Sequence, residues 1–212
     1  MEMNELKKWN YAYTITRDFD YERIITDLKS IERGDHVKLM IKTLSTPIIH
    51  QAAILDFEGN PVFMVGLRIY DTLFSFYIEE YEHKTELYML LMKILSSFEG
   101  LVFFTFSDHE RVEIKKIYQY LACQDIDLSE YIHIEEIPLI NLQLGPFESL
   151  LEALYSINTE MKITGDALFR NNRLVDQLFY AHKYEEIVVH NHNCLVNESI
   201  IFAKRWLRLY TV

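Results

Sequence analysis

The stretch "AILDFEGNPV", Ala53 to Val62, ends an apolar run with two carboxylates, Asp56 and Glu58, two positions apart. Alternate residues of a strand share a face, so the two acids project together with Phe57 opposite. Paired carboxylates of this kind bind hard divalent cations such as magnesium or manganese through oxygen. Such ions activate water and stabilise phosphoryl charge, two of them sitting about 3.5 to 4 Å apart in the two-metal arrangement. The same residues also suit a solvated turn, because Glu58-Gly59-Asn60-Pro61 is good turn chemistry. D-x-E alone does not separate these readings.

Further candidates lie downstream. Glu110 follows the aromatic-rich run "LVFFTFS" and would fall in the first turn of a helix, where the dipole favours an acid, with Asp108 or Ser107 as the N-cap. "HNHNC", His190 to Cys194, brings together two imidazoles, two amides and a thiol. His182 and Glu186, at i and i+4, read as a helix-surface ion pair. Lys115, Lys116, Arg170, Arg173, Lys204, Arg205 and Arg208 are cations available to phosphates or to solvent. Walker, GxGxxG and G-x-S-x-G patterns are absent, which removes those nucleotide-binding and hydrolase readings.

The elements that must position these residues follow from periodicity. "DYERIITDLKSIERG" predicts an amphipathic helix closed by Gly34. "HVKLMIKTL", "IIHQAAILDFE", "PVFMVGLRIY" and "LFSFYIEEY" read as strands, the last three an antiparallel meander joined at Gly59-Asn60-Pro61 and Asp71-Thr72. "KTELYMLLMKILSSFEG" predicts a helix ending at Gly100, and "LVFFTFS" a strand covered on both faces. A helix over "DHERVEIKKIYQYLA" completes a β-β-β-α-β-α order. Beyond it come a strand in "YIHIEEIPLI", helices in "FESLLEALYSI" and "GDALFRNNRLVDQLFYAHKYEE", and a long terminal helix from "IVVHNHNC" through Trp206 and Leu207. The fold class is α/β with a mixed sheet.

The 212 residues are half hydrophobic, enough for one real core, and no linker or repeat divides them. No apolar run reaches the roughly 18 to 20 residues of a membrane helix, and "MEMNELKKWN" lacks a secretory core, so a cytoplasmic protein without a membrane partner is expected. Cys123 and Cys194 have no CxxC context and read as reduced thiols. The net charge of −11 argues against non-specific coating of nucleic acid and leaves room for acids gathered at a cation site.

Taken in this order, the motifs resemble the RNase H-like 3′–5′ exonucleases of the DEDD superfamily, and most closely the divergent members related to the YprB exonuclease-like domain. The resemblance starts near Ile48 and implies an N-terminal extension, 1–45, packed on an RNase H-like domain, 46–212, with an antiparallel three-strand meander and flanking helices. It implies that Asp56 and Glu58 are the first metal ligands and Glu110 the second-motif acid, with Asp108 the alternative, around magnesium or manganese. "HNHNCLVNESIIFAKRWL" matches the family's last motif at His190 and Asn191, which makes His190 the candidate general base. The expected Asp falls on Cys194, or on Asn193 if the register slips by one. Neither is an acid, and a thiol prefers softer metals than magnesium. Glu198, four residues after Cys194, shares its helix face and is the substitute within reach. The expected activity is phosphodiester hydrolysis on single-stranded nucleic acid or frayed 3′ ends. The alternatives are a catalytically silent member of this fold serving a nucleic-acid-processing complex as a binding or architectural subunit, and a generic α/β domain with no cation site.

Overall fold

The computed structural model describes residues 10–32, 52–69, 72–98, 101–157, 166, 168, 171 and 173–205. Among these described residues six strands form one mixed sheet: β1 (Asn10–Thr14), β2 (Ala52–Glu58), β3 (Met64–Ile69), β4 (Thr72–Tyr77), β5 (Val102–Thr105) and β6 (Leu139–Asn141), in the order β1-β4-β3-β2-β5-β6. The meander β2-β3-β4 is antiparallel, as its tight links require, while β5 runs parallel to β2 and β6 parallel to β5. β1 lies parallel to β4 on the opposite edge, with Tyr11 stacked on Phe74 and Tyr13 on Phe76.

The helices are α1 (Tyr21–Glu32), α2 (Lys84–Ser97), α3 (His109–Cys123), α4 (Leu150–Ser156), α5 (Arg173–Tyr180) and α6 (Tyr184–Arg205). The period of two along β2 divides the apolar interior between the two faces of the sheet. Ala53, Leu55 and Phe57 join the larger core under α2, with Leu87, Leu91 and Ile94. Ile54 faces the other way and packs with Leu73, Phe104, Leu195 and Ile201 beneath α6. Phe103 and Phe104 of β5 belong one to each core, so this strand is covered on both sides as its unbroken apolar run predicts. Asp56 and Glu58 continue the Ile54 face and are thereby aimed at α6.

The turn after β2 depends on Gly59, whose φ is +92° and whose notional Cβ would lie 2.3 Å from the Phe63 ring. Backbone geometry and space both select glycine there.

Other expectations are corrected. In "YIHIEEIPLI" only the end is strand; Ile134–Glu136 is a short 3-10 turn, and Pro138 precedes the three residues that pair with β5. Within the helix expected over 165–186, Arg173–Tyr180 is helical and Tyr184 already opens α6, because His182 adopts φ 55° and breaks the chain between them. The proposed His182–Glu186 pair is therefore not formed: His182 Nδ1 meets the Tyr184 hydroxyl at 2.7 Å, and Glu186 binds Lys183 at 3.0 Å. Arg205 is committed to Glu148 and is not a free phosphate contact. The strand read in "HVKLMIKTL", the residues Gly34, Asp71, Gly100, Arg170 and Arg208, and the chain from Trp206 on lie outside the described residues.

Candidate metal centre

Helical spacing puts His190, Cys194 and Glu198 of α6 in one stripe, since residues four apart lie one above the next. That stripe runs beside Ile187, Asn191 and Leu195, which press into the sheet. The stripe, the Asp56–Glu58 end of β2 and the first turn of α3 line one cavity of about 700 Å³. Asp56, Glu58, Glu110, His190 and Glu198 are all buried, and none of the described lining residues is Lys or Arg.

Asn191 anchors the floor. Asp56, Gly66 and Ser75 occupy one row across β2, β3 and β4. The Asn191 amide crosses that row, its Oδ1 accepting from Ser75 Oγ at 2.8 Å and its Nδ2 donating to Asp56 Oδ2 at 2.8 Å. A Cβ at position 66 would stand 2.3 Å from Asn191 Oδ1, so this crossing requires glycine.

On the far side of the His190 ring, Asp166 Oδ2 holds His190 Nδ1 at 2.8 Å. With that carboxylate as acceptor, Nδ1 carries the proton and Nε2 presents its lone pair to the cavity. His190 Nε2 lies 3.6 Å from Glu58 Oε1 and 3.8 Å from Cys194 Sγ. Ligand atoms of Glu58, His190 and Cys194 lie within 4.8 Å of one another, a cluster that could hold a divalent metal.

The electrostatics are those of a site short of positive charge. Burial pushes the Asp56 carboxyl up to about 7, with the Asn191 hydrogen bond opposing. Burial, then the Asp56 charge, takes Glu110 to about 8. Glu58 and Glu198 are held well above the usual carboxylate range by burial and then by Asp56. The same causes raise the Cys194 thiol. Glu198 Oε2 is buried without a hydrogen-bond partner. Such an oxygen costs free energy unless a cation or a proton meets it, so the donor set fits a bound cation.

Each predicted site residue has a definite place. Asp56, Glu58, Glu110, His190, Cys194 and Glu198 line the cavity together. Asn193 does not line it, and Asp108 is exposed before α3, its carboxylate 4.0 Å from Arg111 Nε. The cap of α3 is supplied by Ser107, whose Oγ accepts from His109 N at 3.1 Å and donates to Glu110 Oε2 at 3.3 Å. His192, two positions from His190, does not line the cavity, and burial lowers it to about 4, with the Tyr11 backbone opposing. Sequence spacing does not single out Asp166 or Asp176, which also lines the cavity. "ITGDALF" has no periodicity that marks an acid; only the need of a buried His for a carboxylate partner could have prompted a search for one.

Comparison of the chain with protein-family models, with characterised proteins and with solved structures finds no match.

Proposed function

We propose that the chain is a metal-dependent nuclease of RNase H-like fold, hydrolysing phosphodiester bonds at the 3′ ends of single-stranded or frayed nucleic acid. The observation that carries this reading is the convergence of buried acids from β2, α3 and α6 on one cavity without a basic residue among its described lining. The meander bearing Asp56 and Glu58, the parallel strand leading to Glu110 and the late helix bearing His190 agree with the order of the family that the motifs resemble. Glu198 supplies a carboxylate on the stripe where the family's last acid is replaced by Cys194.

Magnesium or manganese held by Asp56, Glu58, Glu110 and Glu198 would neutralise phosphoryl charge and make a water more acidic. The remaining work falls to the chain. Asn191 fixes the rotamer of Asp56, and Ser107 restrains Glu110. Asp166 keeps the proton on His190 Nδ1, so Nε2 can accept one from a water entering beside Glu58. A cavity of about 700 Å³ accommodates a terminal nucleotide and not a duplex, which favours ends and single strands.

The test is cleavage of end-labelled single-stranded DNA and RNA in manganese, with Asp56→Asn and Glu198→Gln beside the parent. Both substitutions are expected to reduce cleavage to background; degradation that survives Asp56→Asn removes the proposal. The presence of Cys194 at the motif acid's place favours one second reading, a silent binding subunit. Absence of cleavage with either metal, together with retained nucleic-acid or protein binding, is its signature.

A further inference from the structure

The cavity offers two chemically different sets of donors. Along α6 the rise is about 1.5 Å per residue, so His190 and Glu198 are separated by about 12 Å along the helix axis. Glu198 is raised by burial and then by Asp56, Glu110 and Glu58, so carboxylates crowd that end of the stripe. His190 and Cys194 instead meet Glu58, giving nitrogen, sulfur and oxygen donors whose ligand atoms lie within 4.8 Å. The oxygen set suits magnesium or manganese. An imidazole, a thiolate and a carboxylate suit zinc, which takes N, S and O ligands in tetrahedral sites.

We infer that Glu58, His190 and Cys194 form a transition-metal site of zinc class that shares Glu58 with the oxygen set, with Asp166 as the positioning carboxylate behind His190. Asp166 accepts from His190 Nδ1, so Nε2 is the nitrogen offered to the metal, the carboxylate–histidine–metal relation found behind zinc ligands. Cys194 binds as thiolate and its proton leaves to solvent. His190 and Asp166 are buried to within 2–3% of completeness, so their geometry is set before a metal arrives.

Occupancy has a consequence that rests on the nuclease reading: zinc takes the lone pair of His190 and one oxygen-donor side chain, Glu58, from the hard-cation set. Zinc is therefore an inhibitor and manganese the activator. The replacement of the family's acid by Cys194 converts a ligand of the working site into a sensor of the metal present.

The experiment uses the full chain, stripped with a chelator and titrated with cobalt(II) as a spectroscopic stand-in for zinc. A near-ultraviolet thiolate-to-cobalt charge-transfer band saturating at one equivalent, and displaced by zinc, is expected. Cys194→Ser should remove the band, Asp166→Asn should weaken cobalt affinity roughly 10- to 100-fold, and Cys123→Ser should leave it intact. No band in the unaltered chain overturns the inference, as does a band that depends on Cys123. The nuclease reading is scored separately: a cobalt band without cleavage in manganese retains the zinc site, and cleavage without a band retains only the nuclease. Where both are present, one equivalent of zinc should suppress manganese-supported cleavage in the parent, and insensitivity to zinc overturns the inhibitory role.

Discussion

At the scale of single residues, Asn191 and Gly66 are mutually dependent, because the amide occupies the space that any side chain at 66 would fill. Gly66→Ala should therefore lower stability by about 1–3 kcal/mol, as overpacking of a rigid interior does, and should weaken metal binding by freeing Asp56. A melt and a metal titration on the same preparation check it; an unchanged melting temperature would show that Asn191 swings aside at no cost. Much of the placement at this scale is legible in sequence. D-x-E, the acid after an aromatic strand, and the i+4 step from Cys194 to Glu198 each obey a spacing that has one geometric outcome. Asp166 obeys none. It reaches His190 across 24 positions through tertiary packing, and local patterns carry no information about such a contact.

Among the elements, α6 acts as a ruler: its inner stripe grips the sheet while the adjacent stripe distributes His190, Cys194 and Glu198 along the cavity. Its C-terminal end is pinned by Arg205, which donates to Glu148 Oε2 at 2.8 Å and Oε1 at 2.5 Å and to the Leu142 carbonyl at 2.9 Å. Arg205→Ala should cost about 1–3 kcal/mol, the range for charge-assisted hydrogen bonds in a largely buried pair. Chemical denaturation gives the value; a change under about 0.5 kcal/mol would mean that solvent replaces the pair. Periodicity foretold α2, α3, the meander and the doubly covered β5, where many residues repeat one pattern. It overextended β6 and missed the break between α5 and α6, since three paired residues make too short a signal and a positive φ at His182 is set by tertiary context, not by residue type.

For the molecule as a whole, buried acids couple stability to pH. Asp56 and Glu110 have folded values near 7 and 8, above the ordinary 3.8 and 4.5. Their contribution is full below the ordinary values and is lost as pH rises through about 7 and 8. His192 has the opposite sign, lowered from 6.5 to about 4, so its contribution is full above 6.5 and disappears as pH falls through 4. Between pH 6.5 and 8 the carboxylates dominate, and the metal-free chain should melt at lower temperature at pH 8 than at pH 6.5. Manganese at 100 times its Kd should add about 2.7 kcal/mol by mass action and flatten that slope. Melts at the two pH values, with and without manganese, decide it, and a metal-free chain that is more stable at pH 8 would contradict the shared burial of these acids. No helix among the described residues is long and apolar enough to cross a membrane.

β1 has a consequence for self-association. It saturates the outer hydrogen-bonding edge of β4, whose Leu73, Phe74 and Phe76 are buried. A chain begun after residue 20 would present that edge as an open, apolar template, and two such chains would satisfy it by pairing with each other. Light scattering should then report concentration-dependent oligomers from the shortened chain where the intact one stays unchanged; a shortened chain that remains monomeric would show that another segment closes the edge. β1, which does not line the cavity, would thus decide which strand the sheet presents at this edge.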